Sequence, residues 1–249
     1  MDTRKSPGAR SRSTTTPVVQ TSVSPAPDGE YAARDAWVSL IGGHPALDLV
    51  NTVSWRLDPA RRTDRLATHD DLITWSTRAA LIETACYTGL SLPSPKSAER
   101  TLTRVRALRE NAYLALCDHL AGRPVDAGVL DTLRAALSSA LRGAPAAPAF
   151  PLRLAVRPTD ATQIPDAIEA SLFDLFVLQD LARLRECQGT GCGWLYLDRS
   201  RNRSRRWCSS TDCGNRHRVH QFATRARSSL DTAASSATDA PSPSRPVAP

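Results

Sequence analysis

Four of the six cysteines stand in two close pairs, Cys187-x4-Cys192 and Cys208-x4-Cys213, separated by fifteen residues. Paired thiolates at such spacing surround a tetrahedral zinc ion. A sphere of four cysteines is closed and leaves no position for water or substrate, so the chemistry it predicts is structural rather than catalytic. Gly189, Gly191 and Gly193 allow the backbone to turn sharply around one Zn2+. A single cysteine is ordinarily a buried thiol, and that reading is kept for Cys86 and Cys117, which lie in apolar helical stretches. His217 or His220 is a lesser alternative for one ligand position.

The charge is as localised as the cysteines. The chain carries a formal net charge of +7 over 249 residues. Between Cys187 and Arg227 there are nine arginines against Asp198 and Asp212, which accounts for the whole excess. A zinc with four thiolates would offset part of it, leaving about +5 there. A local basic field attracts phosphate. The loop between the cysteine pairs, GWLYLDRSRNRSRRW, interleaves Arg199, Arg201, Arg203, Arg205 and Arg206 with Ser and Asn, the groups that contact nucleic-acid backbones. Arg216 and Arg218 follow after the last cysteine. Some of these arginines are expected to support the thiolates, but five within eight residues exceed that need. Lys5 and Lys96 are the only lysines, a bias that codon usage explains for the chain as a whole but not for the clustering.

Positioning these residues requires a mostly α (α+β overall) chain. Residues 1–34 and 229–249 are rich in Ser, Thr, Pro and Ala without apolar periodicity and read as disordered tails. Order begins near Trp37. A turn at Gly42-Gly43 leads into a short helix through Leu47, Leu49, Val50 and Val53, and His69-Asp70-Asp71 starts another that carries Leu72, Ile73, Trp75 and Ala79. Leu81 to Leu90 is a further apolar stretch. Three- and four-residue apolar steps predict helices over 97–120 and 126–142, the second burying Val129, Leu130, Leu133, Leu137 and Leu141. Alternation in FPLRLAV predicts a strand over 150–156. Pro165 opens a long helix to Glu186 that delivers Cys187 directly. Trp194 to Leu197 reads as one strand of a hairpin beside the metal. A last helix runs from Gly214 to Arg227, with Val219, Phe222, Ala223 and Ala226 inward. The expected domains are a helical one over 35–184, with a short strand, and a four-cysteine module over 185–228.

The run WLYLDRSRNRSRRWCSSTDCGNRHRV resembles the zinc finger named for its CGNR tetrapeptide, here Cys213-Gly214-Asn215-Arg216. Upstream, GGHPALDLVNTV (Gly42 to Val53) resembles the start of the ABATE domain that precedes that finger. The resemblance implies a bacterial transcription regulator induced by stress, with a mostly helical N-terminal domain. It also implies zinc on Cys187, Cys192, Cys208 and Cys213. His217 departs from the family pattern, where a small residue is expected.

The function read from these features is a zinc-containing regulator that binds double-stranded DNA through Arg199, Arg201, Arg203, Arg205, Arg206, Arg216 and Arg218. Asn215 would cap the last helix. The helical domain would dimerise or sense a small-molecule ligand, for which His44, His69, Asp48 and Asn51 are the candidate pocket residues. Turn formation and capping explain those four equally well. One alternative is an RNA-binding protein with Trp194, Tyr196 or Trp207 stacking on bases. Another is a protein-interaction module with a purely structural zinc. There is no Gly-rich phosphate loop, GxSxG or HExxH, so no enzyme is expected. No run of about 18 apolar residues spans a membrane. The N-terminus lacks the apolar core of a secretory signal, which points to the cytoplasm, nucleoid-associated if the protein binds DNA.

Overall fold

The computed structural model describes residues 40–82, 93–143, 156, 158 and 161–238, with side chains described as far as 228. Both tails up to Leu40 and beyond Thr238, Cys86, most of the 81–90 stretch, and nearly all of the 150–156 strand lie outside the described residues.

The sequence periodicity accounts for the central helices. Helix α1 (Pro45–Val50) starts where the His44 ring accepts from the Ala46 amide (3.2 Å). It stops at Val50, and Val53 enters a short strand instead of the helix expected for it. That strand, β1 (Val53–Ser54), pairs antiparallel with β2 (Thr63–Asp64). Helix α2 (His69–Arg78) opens on a reciprocal cap, in which the Thr68 hydroxyl accepts from the Asp71 amide (3.1 Å) and the Asp71 carboxylate accepts from the Thr68 amide (2.7 Å). Helix α3 (Pro95–Leu120) is the central pillar. It buries Leu102, Val105, Leu108, Ala112 and Leu116 and packs against α1, α2, α4 (Ala127–Gly143) and α5 (Ile164–Phe173). On α4 the buried face is Val129, Leu133, Ala136 and Ala140. Leu130 and Leu141, expected inside, are exposed, because small alanines fill the contact with α5.

The predicted long helix from Pro165 to Glu186 is broken. Helix α5 ends at Phe173 and passes into a π turn over Asp174–Leu178. The chain becomes extended at Gln179, and a 3-10 turn (Leu181–Arg183) leads into strand β3 (Leu184–Glu186). Two competing sets of hydrogen bonds, one of them long-range, defeat the helical spacing. The Asp174 carboxylate accepts from His44 (2.8 Å) and from the Gln179 amide group (2.7 Å), and Asp180 caps the Ala182 amide (3.1 Å). Extension then puts Leu184 fully inside the core, whereas Leu178, which the helical period would bury, is exposed.

Strand β3 pairs antiparallel with β4 (Leu195–Leu197), with Arg185 opposite Tyr196. The hairpin is not a separate body: Leu184, Leu195 and Leu197 belong to the same apolar core as α1 and α3. Helix α6 (Cys213–Thr238) leaves the metal module and continues past Arg227. Its stripe faces outward, contrary to the expectation: Val219 is 61% and Phe222 77% exposed, and Ala223 and Ala226 are exposed too. Near its start Gly214 and His217 pack against Trp207 and Arg216 lies over Trp55, while the exposure of Val219 and Phe222 shows that no described element covers the stripe.

Candidate metal centre

Strand β3 carries the chain into the centre. The Cys187 amide extends the ladder by donating to the Trp194 carbonyl (2.8 Å), which turns its side chain toward the second cysteine pair. Gly189 is required by packing, since a Cβ there would lie 2.8 Å from the Cys213 sulfur. Gly191 adopts φ +75°, a left-handed conformation that glycine takes without steric cost.

All four sulfurs lie within 4.8 Å of one another, and all four cysteines are buried. Tetrahedral zinc with bonds of about 2.3 Å sets sulfur–sulfur edges of about 3.8 Å. The Cys192–Cys208 separation is 3.8 Å and Cys208–Cys213 is 3.4 Å. Among the described residues this is the one group of His, Cys, Asp or Glu donors close enough to hold an ion. Cys117 stands apart on α3, half-buried. Neither His217, which stacks on Trp207, nor the exposed His220 joins the cluster.

The surroundings favour ionised sulfur. The amides of Cys208 (3.2 Å) and Gly189 (3.4 Å) donate to Cys187 Sγ, and Arg216 Nη2 donates to Cys213 Sγ (2.9 Å). Hydrogen bonds from its neighbour thiols, Cys192 first, hold the Cys187 thiol far below its usual range, and that anion in turn pushes Cys192 and Cys208 up. Four thiols this close cannot all ionise without a shared cation, which is the electrostatic demand a dication meets.

The segment Gly42 to Asn51 holds the module from the other side. In the β3–β4 register Leu195 and Leu197 direct their backbone groups away from β3. Asn51 takes both groups of Leu195, donating to its carbonyl (2.8 Å) and accepting from its amide (2.9 Å), and the Gly42 carbonyl accepts from the Leu197 amide (2.9 Å). Asn51 thus stands in for a third strand. After β1 the chain adds a clamp: the Arg56 amide donates to the Cys192 carbonyl (3.1 Å) and the Leu57 amide to Gly191 (3.2 Å). Trp194 Nε1 donates to the Val53 carbonyl (2.9 Å), which ties that ring to the fold. Arg109, 3% exposed, makes a two-pronged pair with Asp64 on β2 (2.7 Å each). Burial opposes the Asp64 charge, but the Arg109 bonds outweigh it and hold its carboxyl below the usual range.

The seven predicted nucleic-acid arginines divide. Arg205 is absorbed by the fold, with Nε on the Trp207 carbonyl (3.0 Å), Nη2 on the Ile41 and Cys208 carbonyls (2.9 and 2.5 Å) and its guanidinium over Tyr196 (4.1 Å). Arg216 joins Cys213, Asp212 (2.7 Å) and the Trp55 ring (4.3 Å). Arg199 reaches Gln179 (3.4 Å), Arg206 reaches Gln188 (2.7 Å) and Arg218 reaches the Ser210 carbonyl (3.2 Å), all three exposed. Arg201 and Arg203 are exposed, and among the described residues their side chains have no hydrogen-bond or ion-pair partner.

Sequence reasoning missed the residue that shapes this loop. Asp198 is fully buried; one carboxylate oxygen accepts from the Ser200 amide (2.9 Å) and hydroxyl (2.5 Å), the other from the Arg205 amide (3.0 Å). Burial raises its carboxyl, but the Ser200 and Arg205 bonds prevail and hold it below the usual range. A single acid at the head of an arginine run was the available signal. Three of the four polar residues weighed as a ligand pocket are otherwise engaged: His44 bonds Asp174, Asp48 accepts from the Gly42 amide (2.8 Å), and Asn51 grips Leu195; the fourth, His69, stands at the start of α2 with its Nε2 buried and unpartnered among the described residues.

Two family models match consecutive stretches of the chain. Residues 43–184 match the ABATE family, described as "Putative stress-induced transcription regulator". The chain belongs to the ABATE family. Residues 183–226 match the CGNR zinc finger. The ABATE segment supplies Asn51 and the 53–57 clamp, and the CGNR segment supplies all four cysteines. No curated protein matches the chain. Among the described residues no helix is long and apolar enough to cross a membrane.

Proposed function

We propose that this ABATE protein is a cytoplasmic, stress-responsive transcription regulator that binds double-stranded DNA through its CGNR finger, without enzymatic activity. One zinc ion, held by Cys187, Cys192, Cys208 and Cys213, would fix the hairpin and the start of α6. A closed thiolate sphere is suited to that structural task alone. The helical part, 35–184, works as a dimerisation or sensing platform that carries the finger, 185–228.

The observation that carries this reading is the pair Arg201 and Arg203. Both side chains are exposed and unpartnered on a turn that Asp198 fixes from beneath. Unpaired guanidiniums on an ordered turn are poised for phosphate and base-edge contact. Arg199, Arg206 and Arg218 flank them as weaker, partly engaged contacts. The test is fluorescence anisotropy of zinc-loaded protein against a duplex DNA and an RNA hairpin of equal charge, over a salt series. Tighter DNA binding with a steep salt slope is the expected result. Equal or tighter RNA binding would move the assignment to RNA.

Val219 and Phe222 favour a second reading, that the finger docks on a protein. Exposed apolar residues one helical turn apart suit such contact. Absence of binding to either nucleic acid would select it.

A further inference from the structure

Away from the metal centre, α3, α4 and α5 line an open groove of about 260 Å3. Its wall is apolar and small, formed by Ala107, Leu108, Ala135 and Ala136. Its polar groups are the ion pair of Arg104 and Glu169 and, on α4, the hydroxyl residues Thr132 and Ser139. Glu169 is 1% exposed, and only one of its carboxylate oxygens is used, by Arg104. The other oxygen, Oε2, is buried with no hydrogen-bond partner. A buried acceptor left unmade in a lined groove costs free energy that a bound donor would return. Arg104 differs from its partner: its side chain is 50% exposed, and among the described residues Glu169 is its sole hydrogen-bond or ion-pair partner. Its guanidinium can therefore shift to meet a ligand without breaking any other bond in the fold.

We infer that this groove binds a small aliphatic zwitterion of the α-amino-acid class. The ligand ammonium donates to Glu169, including Oε2. The adjacent ligand carboxylate takes the guanidinium of Arg104, whose planar fork matches it in two places. The side chain lies on the alanine and leucine wall. Charge stays balanced throughout, because one ion pair within the protein is exchanged for two to the ligand. A volume below the usual range for drug-sized pockets fits a ligand of about the size of leucine. Glu169 and Arg104 lie on α5 and α3, next to the small-residue contact with α4, so occupancy would tie the three central helices together.

The experiment is isothermal titration calorimetry of the full, zinc-loaded chain with L-leucine. Two analogues that each lack one charge, 4-methylpentanoate and 3-methylbutylamine, are titrated alongside. Leucine is expected to bind at least tenfold more tightly than either analogue. Glu169→Gln should abolish leucine binding. Arg104→Gln keeps an uncharged donor beside Glu169 and should erase the preference for leucine over the amine; the selectivity of the native protein over the two analogues keeps the test decisive if either variant does not fold. Absence of leucine binding at millimolar concentration, equal binding by the amine, or unchanged selectivity in Arg104→Gln would overturn the inference.

Discussion

Replacing Asn51 with Ala tests whether the ABATE segment truly completes the finger. Asn51 and Leu195 are both fully buried, and the two hydrogen bonds between them join residues 144 apart in sequence. Alanine removes both bonds and leaves the Leu195 amide and carbonyl without partners, because the β3–β4 register points them away from β3. Each buried backbone group left unmade costs roughly 1–3 kcal/mol, so the expected loss is about 2–6 kcal/mol. Against a total stability of about 5–15 kcal/mol this is severe. In a domain of this size it lowers Tm by roughly 2–4 °C per kcal/mol. Thermal unfolding followed by circular dichroism, with zinc held constant, reads the change. Asn51→Asp separates hydrogen bonding from packing: its carboxylate accepts from the Leu195 amide but opposes the carbonyl, so it should also destabilise at neutral pH and recover as acid protonates it. A loss below about 1 kcal/mol for the alanine variant would refute the third-strand role, given the net value of even one ordinary hydrogen bond.

Cys208→Ser should release the zinc and unfold the hairpin, since metal binding and folding of such modules are linked; stoichiometric zinc by elemental analysis would contradict this. Arg201→Ala with Arg203→Ala should leave Tm unchanged while reducing the slope of log K against log salt by about 2, one unit for each lost phosphate contact. Arg205→Ala should do the opposite in stability, lowering Tm and loosening zinc, because its guanidinium binds three backbone carbonyls. Asp48 gives a pH test. Burial raises its carboxyl from 3.8 to about 7, against the lowering effect of the Gly42 and Ile41 amides and Arg205. The folded state then holds the proton more tightly than the unfolded state, so the Asp48 contribution falls as pH rises from about 4 to about 7 and is level above that. Asp48→Asn should therefore melt above the native protein at pH 8 by up to about 4 kcal/mol of stability, with the gap closing near pH 4. A gap that does not change with pH would remove Asp48 as the cause.

Much of the architecture was legible because the signals are local. The α3 pillar follows from its apolar steps, and the metal site from cysteine spacing alone, since two pairs and intervening glycines leave few other arrangements. What the sequence did not disclose depends on contacts distant in the chain. Leu181 and Leu184 fit a helical period as well as any residues in α5, yet β4 needs a partner strand and Asp174 is drawn toward His44, 130 residues away. The stripe on α6 has the period of a buried face but no described element to meet it. Asn51 read as a cap or a pocket residue because a lone asparagine carries no mark of the strand it serves.

The arginines carry the sharpest version of this limit. In composition, Arg201, Arg203 and Arg205 are interchangeable, alternate residues in one basic run. Asp198 separates them through the backbone: by drawing in the amides of Ser200 and Arg205 it folds the run into a turn, with Arg203 at φ +50°. Alternate residues of an extended strand would point the same way, but across this turn the direction reverses. Arg205 is sent inward over Tyr196, and Arg201 and Arg203 are left outside. A count of positive charge therefore overstates the surface that could meet nucleic acid, and removing Asp198 would change which guanidiniums are exposed without altering a single arginine.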